Sequence, residues 1–231
     1  MKSSKSQLDI HYEACPKKLE ARNQTIIQSY RNIFHKKSIP ANKQYWAICG
    51  RCSYKKGKLA ENCEPDQLIK EKLIKSNQFH GVEICPEIYE ANKNSNKQIH
   101  WYLGDFYESM VEYSNHNKFK PAIVNVDMLL MPKCGAEYLS KIMHFLTPIK
   151  NIMIVGNFII KTRQHVATIE DMMKRLEKEP CFQSSMSSDN WKIKRQYYLY
   201  NGTGKTRTKM GTIILYKEVK RGGRYKDVDG N

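Results

Sequence analysis

At 231 residues and 40% hydrophobic content, the chain is long enough to bury the core of one α/β domain. Its longest apolar run, Ile152 to Ile160, is too short to cross a bilayer, which excludes a helical membrane protein. The net charge of +16 points to a polyanionic partner.

The charge is uneven. Residues 1–43 carry nine Lys/Arg against three acids and residues 191–231 carry eleven against three, while residues 44–190 carry nineteen against seventeen. A near-neutral centre with basic margins fits a centre that holds a small ligand and margins that hold nucleic acid. Three segments follow from this: a basic N-terminal helical extension over 1–43, a central domain over 44–220, and a polar, basic tail over 221–231. Met1-Lys-Ser-Ser-Lys-Ser runs into charged and polar residues rather than an apolar h-region, so the expected location is cytoplasmic.

In chain order, Leu19, Ile26, Ile27, Tyr30, Ile33 and Phe34 recur at helical spacing and predict a basic amphipathic helix over 17–36, ended before Pro40 and lying on the edge of a sheet. Tyr45 to Cys49 reads as the first strand. It runs into Cys49-Gly-Arg-Cys52, which superficially matches a thioredoxin-type redox pair. Ser-Tyr-Lys-Lys-Gly-Lys follows, however, and reads as loop rather than as the helix such a pair needs. A zinc set of Cys49, Cys52, Cys63 and Cys85 lacks a second paired motif, so no metal is expected. The seven cysteines are too sparse for a disulfide scaffold.

Pro65 opens a helix over 66–75, and Phe79-His-Gly-Val-Glu83 is the next strand. Cys85-Pro-Glu starts a helix to Lys93, Asn94-Ser-Asn-Lys turns the chain, and Ile99 to Leu103 is a strand followed by Asp105. A helix over 106–113, a strand over 122–127, a helix over 135–146, a strand over 151–159 and a helix over 166–178 continue the alternation. The pattern then changes to two long strands, 191–200 and 208–219, joined by Asn201-Gly-Thr-Gly-Lys-Thr as a β-hairpin. Gly202-Thr-Gly-Lys-Thr206 is read as that turn and not as a phosphate-binding loop, because strands rather than a helix follow it. The fold class is therefore α/β: a Rossmann-like, doubly wound, mostly parallel sheet with a C-terminal antiparallel hairpin, sandwiched between helices in three layers.

Three strands share one grammar. Phe79 to Glu83, Ile99 to Asp105 and Pro121 to Asp127 each run apolar and then finish on a carboxylate, 22 residues apart. In open α/β sheets, ligands bind beyond the carboxyl ends of the parallel strands, which is where Glu83, Asp105 and Asp127 would stand.

Over residues 44–219 this arrangement resembles the class I S-adenosylmethionine-dependent methyltransferases. In that family the first strand leads into a glycine-rich loop over the cofactor, and Tyr45-Trp-Ala-Ile-Cys-Gly50 stands in that place, with the glycines reduced to Gly50-Arg51-Cys52. The resemblance assigns Cys49, Gly50 and Arg51 to the cofactor loop and Glu83, with Ile84, to the ribose hydroxyls. It places Gly104, Asp105 and Phe106 at the adenine, Phe106 by stacking. It also sets Asn125, Asp127 and Met128 beside the transferred methyl group, with Asp127 as the proton acceptor. The segment Asn125 to Pro132 lacks the Asn/Asp-Pro-Pro-aromatic signature of amino-methylating DNA enzymes, so the target atom stays open.

The resemblance implies a methyltransferase, a transferase using S-adenosylmethionine. The basic margins imply a DNA or RNA substrate held by Lys192, Lys194, Arg195, Lys205, Arg207 and Lys209, interleaved with Tyr197, Tyr198 and Tyr200 for base stacking. The alternative is a catalytically silent module of the same fold that binds nucleic acid or a protein partner. His80 and His100, each just before an acidic strand end, read as structural or exposed rather than catalytic.

Overall fold

The structure is a computed structural model that describes residues 16–49, 52, 59, 63–128, 132–159, 169–201 and 207–218. Its elements are α1 (Pro16–Phe34), β1 (Gln44–Ile48), α2 (Glu64–Lys70), a 3₁₀ turn (Ser76–Gln78), β2 (Phe79–Glu83), α3 (Pro86–Lys93), β3 (His100–Leu103), α4 (Phe106–His116), β4 (Pro121–Met128), α5 (Pro132–Phe145), β5 (Ile152–Ile159), α6 (Ile169–Lys178), α7 (Pro180–Ser188), β6 (Lys192–Asn201) and β7 (Arg207–Lys217).

One seven-stranded sheet holds these strands in the order β3-β2-β1-β4-β5-β7-β6. β1 to β5 are parallel; β7 runs antiparallel to β5, and β6 antiparallel to β7. This is the Rossmann-like, doubly wound arrangement with a C-terminal antiparallel hairpin, as the sequence predicts. The hairpin turn, Gly202 to Thr206, lies outside the described residues, as do Gly50, Arg51, Lys205 and the tail 221–231.

Strand alternation sends β5 residues Ile152 and Ile154 to one face and Met153 and Val155 to the other, and all four are fully buried. On the first face Trp46, Val82, Val124 and Ile213 pack against Phe106 and Met110 of α4, Leu139 and Ile142 of α5, Leu176 of α6 and Phe182 of α7. On the second, Tyr45, Phe79, Ile123 and Ile214 pack against Ile26, Ile27 and Tyr30 of α1 and Leu68 of α2.

Helix α1 contacts β6, the edge strand, as the sequence predicts, and its Ile26, Ile27 and Tyr30 are buried in the cluster on the second face of the sheet. Two elements differ from the sequence expectation. Helix α2 stops at Lys70 instead of 75, because Lys72 adopts φ 56° and the amide of Leu73 turns back to the Leu68 carbonyl at 3.0 Å. Helix α7 was not anticipated. Its signal is Glu179-Pro180, with proline in the first turn, where its missing N–H costs nothing.

Candidate cofactor site at the carboxyl ends of the parallel strands

The ends of β1, β2 and β3 converge as the resemblance implies. Glu83 pairs with Leu103 in the β2–β3 register, and the Gly104 amide donates to the Glu83 carbonyl at 3.0 Å. The Cys49 amide donates to the Val82 carbonyl at 3.0 Å, which ties the start of the β1 loop to the same corner. Gly104 has φ +138°, a conformation that only glycine adopts without strain, and it redirects the chain into α4. Asp105 caps that helix, its Oδ1 accepting from the Glu108 amide at 3.0 Å, and its side chain remains exposed.

Glu83 is 8% exposed, and its Oε1 accepts the Cys85 amide at 2.9 Å. Burial pushes its carboxyl above the usual range, against the pull of the Cys85 and Ile84 amides. Around it the exposure is apolar. Ile84 is 76% exposed and Leu103 49%, the two large hydrophobic side chains left open among the described residues. Leu103 was not singled out from the sequence, where it reads only as the last residue of an apolar run. Phe106, assigned a stacking role, is instead buried at 3% and packs in the core beneath α4.

Asn125 lies inside a buried chain of polar groups that spans β1, β4, β5 and β7. Its Nδ2 donates to Glu64 Oε1 at 2.7 Å, and its Oδ1 accepts from Asn157 Nδ2 at 2.9 Å. Thr212 Oγ1 donates to Asn157 Oδ1 at 2.9 Å, and the Tyr45 hydroxyl donates to Glu64 Oε1 at 2.5 Å. Arg22 closes the chain through Glu64 Oε2 at 2.9 Å. Asn125 is 0% exposed with both amide functions engaged, so it holds the sheet together here and does not open on the crevice. Asp127 is the penultimate residue of β4, in register with Asn157; its side chain lies outside the described parts, as does that of Met128.

Cys49, Cys52 and Cys63 are buried together, and their thiols contact one another in a chain. The Cys52 amide donates to Asn92 Oδ1 at 2.7 Å. Burial raises the Cys49 thiol. Cys52 donates to Cys49 and Cys63 donates to Cys52, which pushes these two up as well, Cys52 well above its ordinary value. Such thiols stay protonated, the opposite of the lowered value a redox pair needs. Among the described residues no group of three or more His, Cys, Asp or Glu is placed to hold a metal ion.

Two of the basic residues assigned to nucleic acid, Lys192 and Lys209, stand at opposite ends of the hairpin. Lys192 pairs with Tyr216 at the amino-terminal end of the parallel strands, and Lys209 pairs with Leu199 near the opposite end, seven residues further along β6 or roughly 23 Å. Arg195 forms a bidentate pair with Glu177 of α6, and Lys192 Nζ lies 3.8 Å from Glu218. Lys194 is half-buried. Arg207 and Lys209 lie on β7 with side chains outside the described parts, and Lys205 lies outside the described residues altogether. No helix among the described residues is long and apolar enough to cross a membrane.

No protein-family model and no curated protein matches the sequence. Solved structures do align with it. An O-methyltransferase from Bacillus cereus in complex with SAH is 7% identical at TM-score 0.48, covering 94% of each chain. TYW2 from M. jannaschii in complex with AdoMet is 12% identical at TM-score 0.44, covering 94% of this chain and 80% of its own. Trm5b from Pyrococcus abyssi is 11% identical at TM-score 0.44, covering 86% of this chain and 49% of its own. The likeness to these proteins is one of general outline, and the assignment of the fold stands on the strand order and directions of this sheet.

Proposed function

We propose that this chain is an S-adenosylmethionine-dependent methyltransferase acting on nucleic acid. The observation that carries the reading is Glu83: a carboxylate at the end of β2, buried in a corner whose exposed surface is Ile84 and Leu103, beside the Gly104-Asp105 turn. A carboxylate offers about four acceptor positions, and the amides of Ile84 and Cys85 take two. Two remain for a vicinal diol. The residues present therefore fit an adenosyl group: Glu83 would accept the ribose hydroxyls, Ile84 and Leu103 would give the base apolar contact, and Asp105 would accept from its exocyclic amine.

When bound, S-adenosylmethionine supplies an electrophilic methyl group on a positively charged sulfur. The chain's part is to align the acceptor and collect a proton. Asp127, at the carboxyl end of β4, is the residue assigned to the proton. Asn125 supports it at one remove, since its bonds to Glu64 and Asn157 fix the ends of β4 and β5. Gly50 and Arg51 complete the cofactor loop, and the basic hairpin residues from Lys205 to Lys209 hold the substrate near the reacting end.

A second reading is a catalytically silent module of this fold that binds nucleic acid or a protein partner. One observation favours it: Cys49, at the end of β1 where the resemblance puts a glycine-rich cofactor loop, is buried in the core with Cys52 and Cys63. Calorimetric titration with S-adenosylmethionine and S-adenosylhomocysteine, repeated on Glu83→Ala, separates the two. Micromolar binding lost in the variant supports the methyltransferase. No heat from a cooperatively folded protein supports the silent module.

A further inference from the structure

The pole of the sheet opposite Glu83 is lined with lysines. Lys43 leads into β1, Lys75 precedes the turn into β2, Lys120 leads into β4 and Lys150 precedes β5. These are four neighbouring strands in the order β2-β1-β4-β5, so the four lysines span three strand spacings of about 4.8 Å each. Hydrogen bonds tie this rim together. The Gln44 amide donates to the Lys120 carbonyl at 3.1 Å, Gln78 Nε2 donates to the Lys43 carbonyl at 3.0 Å, and Lys43 Nζ reaches the Lys150 carbonyl at 3.4 Å.

Beside the rim, the segment after α1 and the turn after α2 enclose a pocket of about 600 Å³. Lys36, Lys72 and Lys75 stand around it with Ser38 and Gln78, over a lining that is otherwise apolar and includes Ile39, Ile69 and Leu73. Lys36, Lys72, Lys75, Lys120 and Lys150 are exposed, and among the described residues none has a carboxylate within 4 Å. Three acids at the same pole are engaged elsewhere: Glu71 with Arg31 at 3.6 Å, Asp189 with Lys217 at 2.9 Å and Glu218 with Lys192 at 3.8 Å. Lys43, half-buried, has its pKa lowered by burial and further by the charges of Lys120 and Lys36, so the fields of these cations overlap.

Uncompensated like charge on adjoining strand ends stores repulsion that an anion relieves. We propose that this amino-terminal rim, with the pocket lined by Lys36, Lys72 and Lys75 beside it, is a binding surface for the phosphate backbone of a nucleic acid. The partner is nucleic acid rather than an anionic membrane, because a membrane-seeking surface adds exposed apolar side chains to its lysines. The exposed large hydrophobics among the described residues, Ile84 and Leu103, lie at the other pole. The inference deepens the nucleic-acid half of the function proposed above and does not depend on its cofactor half. A bound strand would be anchored at the rim, one sheet length from the reacting end.

The test is fluorescence anisotropy of labelled single-stranded RNA and of duplex DNA against the full chain from 50 to 300 mM salt. It is repeated on Lys36→Glu/Lys72→Glu/Lys75→Glu and separately on Lys120→Glu/Lys150→Glu, with melting curves to verify folding. The expected result is at least a tenfold loss of affinity in the triple variant at low salt. The slope of log K against log salt should also fall by about 2 to 3, since each phosphate contact contributes about 0.7 to 0.9. Titration of S-adenosylmethionine on the same proteins should be unchanged. Equal affinity and slope in the wild type and both variants would overturn the inference, as would binding to anionic vesicles without binding to either nucleic acid. A chain that binds no S-adenosylmethionine yet loses RNA through the rim variants would sink the methyltransferase reading and leave the rim standing.

Discussion

Arg22 and Glu64, 42 residues apart, form an ion pair at 2.9 Å with side chains only 3% and 2% exposed. The pair joins α1 to α2 over the second face of the sheet, and through Glu64 it engages Tyr45 and Asn125 as well. Two charges held out of water in this way are stable only together. Arg22→Met is expected to cost about 3 to 5 kcal/mol, because Glu64 is left charged and buried without its cation. Arg22→Met combined with Glu64→Gln should recover much of that loss, since a glutamine oxygen still accepts from Tyr45 and Asn125. Urea denaturation of the two variants measures it; equal losses in single and double variants would show that the charge pair is not the source.

His80 is the second buried ionisable group with a defined consequence. It is 2% exposed, stacks on Trp46 and on His100 at 4.6 Å each, and its Nδ1 lies 3.0 Å from the Tyr102 hydroxyl. Burial, reinforced by His100, lowers its pKa to about 3. The folded protein therefore holds this ring neutral while the unfolded chain takes up a proton below about 6.5, so stability falls as pH drops through 6.5 toward 3. At pH 5 the expected loss from this residue is about 2 kcal/mol relative to pH 7. His80→Phe should flatten that limb, and the wild-type ring should show no NMR titration between pH 5 and 8. A midpoint near 6.5 in the folded protein would refute the assignment.

The alternation of strands and helices was legible because buried parallel strands leave short apolar runs, and 79–83 was bounded to the residue by Gln78 before it and the carboxylate of Glu83 at its end. The corner made by Glu83, Ile84, Gly104 and Asp105 was legible for the same reason: acids and glycine end those runs. The polar chain from Arg22 to Thr212 was not, since it joins six elements whose residues each look ordinary in sequence and gain meaning only from the strand order. Asn125 illustrates this, a polar residue in an apolar strand whose partners, Glu64 and Asn157, stand 61 and 32 residues away. The lysine rim escaped notice for a related reason. Lysines before strands are common as solubilising turns, and only the sheet sets four of them side by side.

Gly81 makes room for its neighbour. A Cβ there would stand 2.3 Å from Trp101 Cζ3 and 2.5 Å from its Cε3, so the ring on β3 occupies the space a side chain on β2 would fill. Gly81→Ala should destabilise the fold by about 1 to 3 kcal/mol through overpacking. By prising β2 from β3 it should also weaken adenosyl binding at the Glu83–Leu103 end. Melting temperature and ligand titration measured on one preparation test both halves, and an unchanged Tm would mean that Trp101 moves aside freely.

The carboxyl of Glu83 links the proposed cofactor to pH. Burial raises its pKa, so the folded protein retains a proton there above the pH at which the unfolded chain releases it, and the charged form destabilises the fold as pH rises through that window. The charged form is also the better acceptor for two ribose hydroxyls, because protonation turns one oxygen into a donor. Adenosyl affinity should therefore rise as pH climbs through the raised pKa of Glu83 and level off above it. Glu83→Gln should lose tenfold or more in affinity and lose the pH dependence with it, since its amide cannot ionise. Titration of S-adenosylhomocysteine at several pH values on both proteins decides the matter. A Glu83→Gln profile that still rises with pH would assign the dependence to another group, and unchanged affinity would remove Glu83 from the site.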